Sequence, residues 1–281
     1  MFLWKDTAMF DFNASTPTGF HADFALCVML PLAEAAYAVM NKPGVVPQLP
    51  AGFQMTGLIR ADEALRQAIL NLPNQSKVAK AMMDDSGIFG LMGKNPFTKT
   101  AFVAFRGTQT FEDWVGDFDA FFEPYKYVPN GGQVHMGFQS IYGALQKSVA
   151  AGIGTAVAGC DDLLVTGHSL GGALAVTAGP DIAKNLTPTL VPELITFAGP
   201  AAGLADFARF FDLLIPSCYR VVNFWDLVPR LPPQAPIGLY EQTGTHVNID
   251  PGFALAVEAH SLEQSYVPGL LALLPPGYKC T

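Results

Sequence analysis

The residues best suited to chemistry lie in the stretch LLVTGHSLGGALAV, residues 163–176. Ser169 stands between Gly167 and Gly171, with an apolar run before it and a helix-like run after it. This is the pattern of a nucleophile elbow, a tight strand-to-helix turn that exposes a serine hydroxyl above a sheet. The backbone N–H of Leu170, at the start of the helix, is suited to bind an oxyanion. The stretch predicts a serine nucleophile; the alternative is a glycine-rich turn with an incidental serine.

A nucleophilic serine works with a histidine base and a carboxylate that orients the imidazole. Asp226 directly follows the apolar run YRVVNFW, which contains a predicted strand, and lies shortly before Pro229. A carboxylate just beyond the end of a strand lies at the edge of the sheet where ligands bind. Asp226 is therefore predicted to be the acid, with a purely local turn as the alternative.

The elements that must hold these residues alternate along the chain. Two apolar runs, 86–93 and 100–105, flank a turn-rich hexapeptide and predict a hairpin. Further strands are predicted at 163–166, 194–197 and 219–224, with helices at 21–41, 170–186 and 203–214. Pro31 is expected to kink or divide the first helix. Such alternation predicts an α/β fold, a mostly parallel sheet with helices on both faces.

Composition sets limits on the function. The chain has 281 residues, 50% hydrophobic and 14% charged, which we interpret as one domain spanning 1–281. A formal charge of −8 argues against nucleic acid as a partner. No uninterrupted apolar run of about 18 residues appears, so no transmembrane segment is expected. Residues 1–13 do not resemble a signal peptide, which fits a cytoplasmic protein as well as a mature secreted one.

Several blocks of the sequence resemble the class 3 lipases of the fungal-lipase type, which have the α/β-hydrolase fold. Beside the GHSLGGALA block, the resemblance is carried by FRGTQTFEDWVGDF (105–118), VHMGFQSIY (134–142), FAGPAAG (197–203) and RVVNFWDLVPRLPP (220–233). The blocks run from about residue 86 to 266, while the first 85 residues match only loosely.

The resemblance implies roles for particular residues. Ser169 takes the place of the nucleophile and Asp226 that of the acid, and Thr108, directly after FRG, completes the oxyanion hole. The chain order of these enzymes requires the base to follow the acid, which leaves His246 and His260. His246 lies in an alternating run typical of a strand, whereas EAHSLEQSY around His260 resembles the family's catalytic segment, with one extra residue before Tyr266. His260 is therefore the predicted base.

Two other histidines receive supporting roles. His168 lies inside the elbow, where we expect it to orient the turn. His135 precedes the MGF sequence and is expected to line or support the cleft.

A short amphipathic segment follows the oxyanion strand. Its apolar side chains recur at i, i+3, i+4 and i+7, opposite acidic residues: Phe111, Trp114, Val115 and Phe118. An ordinary core-facing helix would give the same stripe. In the family this position belongs to the lid, so the resemblance implies a helical lid at about residues 109–118. The apolar stretch 267–276 fits a core segment or a wall of an acyl groove.

The four cysteines, Cys27, Cys160, Cys218 and Cys280, lack the spacing of a metal or redox site, and we expect buried or surface thiols. Fungal members of the family often tie the end of the first helix to the chain terminus by a disulfide. Cys280 fits that pattern, but Ala38 stands where the partner would be. Cys27 lies about three turns earlier, so a bond between Cys27 and Cys280 stays open.

Taken together, the residues and the resemblance predict a serine carboxylic-ester hydrolase of lipase or esterase type, with neither metal nor organic cofactor. Its partner is an ester or lipid substrate, met in solution or at an oil–water interface. A feruloyl or aryl esterase and a lipase-like scaffold without turnover are the alternatives. The phenylalanine and tryptophan stripe argues against the first, and the presence of all three triad residues argues against the second.

Overall fold

The computed structural model describes residues 16–41, 44–72, 76–84, 87–108, 120–232, 239–252 and 255–280. The strands within them are β1 (Gln54–Arg60), β2 (Ile88–Asn95), β3 (Thr100–Phe105), β4 (Phe122–Pro124), β5 (Gln133–His135), β6 (Asp162–His168), β7 (Glu193–Phe197), β8 (Gly203–Leu204), β9 (Cys218–Asn223), β10 (Tyr240–Glu241) and β11 (Thr245–Ile249). The helices are α1 (Ala22–Asn41), α2 (Glu63–Asn71), α3 (Lys77–Asp84), α4 (Met136–Val157), α5 (Leu170–Asp181), α6 (Ala205–Leu214), α7 (Ala256–His260) and α8 (Val267–Leu271).

The described strands form one large sheet and one small one. The large sheet has seven strands among the described residues, in the order β1-β2-β3-β6-β7-β9-β11. The first three strands are antiparallel, which confirms the predicted hairpin. From β3 to β11 every pairing is parallel. The predicted α/β architecture with a mostly parallel sheet is confirmed, and the C-terminal ends of β6 and β9 bring Ser169 and Asp226 to the same edge.

Successive side chains of a strand point to opposite faces of the sheet. Because both sets are apolar in the central strands, helices cover both faces. On β3, Phe102 and Ala104 face the side of the sheet that α1 covers. Val103 and Phe105 face the other way, against α4 and α5. The continuous apolar runs of the sequence are thus central strands buried on both sides. Within 267–276, Leu270 belongs to the core, whereas Leu271 and Leu273 are exposed.

Pro31 does not divide the first helix, which runs from Ala22 to Asn41. Residues Ala25–Met29 form a π turn, in which the N–H of Leu30 bonds to the carbonyl of Ala25. A proline has no N–H to donate, so a wider turn just before it lets the helix continue. The helix has the length and mean hydropathy, 1.6, of a membrane span. Much of its surface is nevertheless buried against the sheet, as in a core helix.

The structure corrects the expectation that all four cysteines are thiols. Cys27 and Cys280 form a disulfide, with their Cα atoms 5.4 Å apart. The bond ties the π turn of α1 to the end of the chain. Cys160 and Cys218 are the thiols among the described cysteines.

Candidate active site

The serine lies in a strained turn between β6 and α5. Ser169 has φ 59° and ψ −132°, a conformation that costs a non-glycine residue roughly 1–3 kcal/mol. A Cβ on Gly167 would overlap the carbonyl of Gly171, and one on Gly171 would overlap that of Phe105. Only glycine fits at either position, which explains the spacing of the motif. The Ser169 hydroxyl does not cap the helix that follows.

Asp226 and His260 form a buried hydrogen-bonded pair. His260 Nδ1 lies 2.8 Å from Asp226 Oδ2, and Asp226 is fully buried. Oδ1 of the same carboxylate accepts the backbone N–H of Val228 at 2.9 Å, so the local turn exists beside the long-range contact. Because a carboxylate only accepts, Nδ1 of His260 must donate, which leaves Nε2 as the basic nitrogen of the neutral ring.

A second donor to Asp226 comes from Tyr266, which the sequence did not assign to the site. Its hydroxyl donates to Oδ2 at 2.8 Å. Residues Leu262–Tyr266 form a π turn, in which the N–H of Val267 bonds to the carbonyl of Leu262. A π turn takes up one residue more than an α turn. The π turn therefore accommodates the one residue before Tyr266 that this segment has in excess of the family pattern. It also brings the Tyr266 hydroxyl to Asp226.

The loop that carries His260 is held by another residue that the sequence did not indicate. The side-chain amide of Asn223, at the end of β9, donates to the carbonyl of Ala259 at 2.9 Å and to the hydroxyl of Ser265 at 2.7 Å. Asn223 is fully buried. Its position in the run YRVVNF resembles that of an ordinary strand residue, so only the fold reveals this role.

One cavity brings the predicted residues together. It has a volume of about 350 Å³, and Thr108, Ser169 and His260 line it. Two carboxylates, Glu34 from α1 and Glu263 from the π turn, also line it. Burial and the charge of Glu263 raise the pKa of Glu34. Leu170 follows Ser169 as the first residue of α5, where backbone N–H groups have no partner within the helix.

The remaining histidines have distinct surroundings. His246 lies on β11, paired in register with Arg220. Burial first, and the charge of Arg220 second, lower the pKa of His246 to about 4. His135 caps α4: its Nδ1 accepts the N–H of Gly137 at 3.1 Å, a role not anticipated from the sequence. The predicted lid residues Phe111, Trp114, Val115 and Phe118 lie outside the described residues.

Residues 102–235 match the sequence profile of the lipases of class 3. Over these residues, just under half of the chain, the sequence is similar to the class 3 lipases. The chain is 34% identical to a lipase of Rhizopus niveus over 142 residues, which cover 49% of this chain and 36% of the relative. It is 31% identical to a lipase of Rhizomucor miehei over 150 residues, 52% of this chain and 41% of the relative. The matched segment thus spans less than half the length of these relatives.

The fold of the chain is also found in a solved structure. The triacylglyceride lipase of Rhizomucor miehei superposes with a TM-score of 0.58 and 22% sequence identity, covering 78% of this chain and 77% of that one. This likeness confirms the fold at the level of its architecture.

Proposed function

We propose that the chain is a serine carboxylic-ester hydrolase of the lipase or esterase type, acting on acyl esters such as acylglycerols. The observation that carries the proposal is the buried Asp226–His260 pair, whose histidine lines the same cavity as a strained serine. Strain in a non-glycine residue persists only where the surrounding fold imposes it. Catalysis is therefore favoured over the alternative of a scaffold without turnover.

The residues divide the reaction between them. His260 Nε2 takes the hydroxyl proton of Ser169 as the oxygen attacks the ester carbonyl. The backbone N–H of Leu170, together with Thr108, stabilises the oxyanion of the tetrahedral intermediate. His260 then returns the proton to the leaving alcohol, which gives an acyl-serine. Water attacks the acyl-serine with His260 as base, and the acid product leaves. Throughout, Asp226 holds the imidazole in the required tautomer and stabilises its positive charge.

Exposed apolar side chains beside these residues support action on lipid surfaces. Trp225 and Leu227 flank Asp226, and both are exposed. Leu255 and Val257, just before and within the helix that carries His260, are 66% and 53% exposed. Phe121, 62% exposed, follows the predicted lid. Apolar surface of this kind is removed from water when it meets an oil phase, at roughly 25 cal/mol per Å². We infer an oil–water interface as a site of action.

The two carboxylates in the cavity favour neutral substrates. Glu34 and Glu263 line the same cavity as Ser261 and His260. Their negative charge opposes an anionic acyl chain, and the net charge of −8 acts in the same direction. Neutral alkyl esters and acylglycerols fit this cavity better than esters that carry a negative charge near the scissile bond.

A substrate panel tests the proposal. Turnover is measured on p-nitrophenyl esters of rising chain length, a triglyceride emulsion and a feruloyl ester. We expect alkyl esters and triglyceride to be cleaved in preference; hydrolysis of the feruloyl ester alone would identify an aryl esterase instead.

A second comparison tests the effect of Glu34 and Glu263 on substrate preference. We compare p-nitrophenyl butyrate with the similarly sized, anionic p-nitrophenyl hemisuccinate. The Glu34→Gln and Glu263→Gln variants should each narrow the preference for butyrate, roughly threefold, because removing a charge at partly exposed positions changes the local potential modestly. Glu193→Gln is the matched control, because Glu193 lies at the N-terminal end of β7, away from the cavity. An unchanged preference in both cavity variants would show that the carboxylates do not select substrate.

A further inference from the structure

His168, the residue before the nucleophile, contacts the segment of the predicted base. Its Nε2 lies 2.8 Å from the backbone carbonyl oxygen of His260. Its Nδ1 lies 3.0 Å from the hydroxyl of Tyr37 on α1. The rings of His168 and His260 stand 4.6 Å apart between centroids. None of the three triad roles uses these two side chains.

The chemistry of the partners sets the direction of both hydrogen bonds. A carbonyl oxygen only accepts, so Nε2 of His168 carries the proton. Burial, and then the charge of His260, lower the pKa of His168 well below its ordinary value. The ring therefore stays neutral at working pH, and its Nδ1 accepts the proton of the Tyr37 hydroxyl. Burial raises the pKa of Tyr37, which keeps that hydroxyl protonated.

Tyr37 extends the contact to the oxyanion strand. Its hydroxyl lies beside Gly107, the residue before Thr108. A Cβ on Gly107 would stand 2.6 Å from that hydroxyl and 3.0 Å from Cβ of Ser169. One tyrosine–histidine pair thus joins the segments that carry the oxyanion residue, the nucleophile and the base.

The segment around His260 needs such an anchor. Helix α7 has only five residues, so it contributes little stability of its own. The carbonyls of Ala259 and His260 are at its C-terminal end, where no intrahelical donor is available. Asn223 satisfies the first and His168 the second. Without His168, the backbone at His260 would lose one of the two side-chain donors that fix its end.

We propose that His168 and Tyr37 are positioning residues, which fix the backbone of His260 relative to Ser169 through the Tyr37 hydroxyl–His168 imidazole–His260 carbonyl chain. This inference rests on the proposed hydrolase function. Both side chains line the cavity, but the proposed mechanism gives neither of them a step in the proton transfer, so their part is to set geometry. Misplacement of a reacting group by about 1 Å can cost on the order of 100-fold in rate.

Four variants test the proposal on soluble p-nitrophenyl butyrate. His168→Leu removes the donor to His260 and should reduce kcat by about 10- to 100-fold with little change in KM. His168→Gln keeps an N–H at a similar reach and should recover most of that loss. Tyr37→Phe should lower kcat several-fold. Thr166→Val is the matched control, because Thr166 is buried on the same strand and bonds the carbonyl of Ile195 at 2.7 Å; it should keep its kcat.

A double variant separates positioning from general destabilisation. Because Tyr37 acts through His168, adding Tyr37→Phe to His168→Leu should cost nothing further. Melting temperatures of all variants are measured, and Tyr37→Phe, at a partly exposed position, carries the test if His168→Leu does not fold. A normal kcat in folded His168→Leu, equal losses in the glutamine and leucine variants, or fully additive losses would overturn the proposal. Absence of ester turnover by the folded parent chain would instead overturn the hydrolase function itself.

Discussion

At Asp226 one carboxylate oxygen receives two side-chain donors, and the other receives a backbone N–H. Three hydrogen bonds fix the orientation of the carboxylate. In the proposed mechanism this carboxylate faces the imidazolium that His260 becomes and holds its ring in place. The acid is therefore held by its surroundings in the position that the proposed mechanism uses.

The choice between the two downstream histidines is a residue-scale prediction. His260→Ala should lower kcat by about 10⁴- to 10⁶-fold, nearly as far as loss of the serine, because triad members act as a unit. His246→Ala is the matched control and should retain most activity, since His246 pairs with Arg220 within the sheet. Steady-state kinetics on a soluble ester measure both. The opposite ranking would assign the base to His246.

The sequence could predict residues whose signal is local. Ser169 has glycines two residues away on both sides, and Asp226 follows a strand, so neighbours along the chain identify them. Tyr266, Asn223 and Tyr37 have no such signal. They reach Asp226, Ala259 and His168 only after distant segments have packed, and their own sequence contexts resemble ordinary helix or strand positions.

At the scale of elements, two π turns adjust the site. One lies before Pro31 in α1 and precedes Tyr37, and the other places Tyr266 at Asp226. The sequence predicted a break at Pro31 because a proline removes a helical hydrogen bond, but the wider turn absorbs that loss. The central strands were predicted from their continuous apolar runs, whereas the longest helix, Met136–Val157, was not predicted. The π turns were not predicted either, because each depends on a single unmatched N–H or an extra residue.

The lid remains a prediction from the sequence at this scale. An apolar helical face that covers the cavity in water would open at an oil surface, where its exposure no longer costs free energy. Activity on a sparingly soluble ester should therefore rise as its concentration passes the solubility limit. Trp114→Ser should lose more activity on emulsions than on dissolved short-chain esters, when parent and variant are assayed on both. Equal losses on the two substrate forms would assign Trp114 to the core.

At the scale of the whole molecule, the disulfide links the two ends of the described chain. Cys27 and Cys280 are 253 positions apart, and the bond ties the helix that carries Glu34 and Tyr37 to the segment after α8. The sequence left this pairing open because cysteine spacing alone does not determine connectivity. The fold brings the two Cα atoms within the range that a disulfide requires.

Loss of that bond should lower the stability of the fold. The Cys27→Ser and Cys280→Ser double variant should lose about 2–5 kcal/mol of unfolding free energy, because the crosslink restricts a long loop in the unfolded chain. Urea unfolding with and without reductant measures the effect. Cys160→Ser, at a partly exposed thiol, is the control and should unfold like the parent. If the urea midpoint of the parent chain is the same with and without reductant, the disulfide does not stabilise the fold.

The most direct test of the central claim is covalent labelling of the nucleophile. A fluorophosphonate is incubated with the parent chain and with Ser169→Ala, the label is located by peptide mass spectrometry, and turnover of p-nitrophenyl butyrate is measured in parallel. We expect Ser169 alone to be labelled in the parent, and the variant to keep its melting temperature while kcat falls by about 10⁴- to 10⁶-fold. A label on another serine, or near-normal turnover in folded Ser169→Ala, would contradict the assignment of Ser169 as the nucleophile.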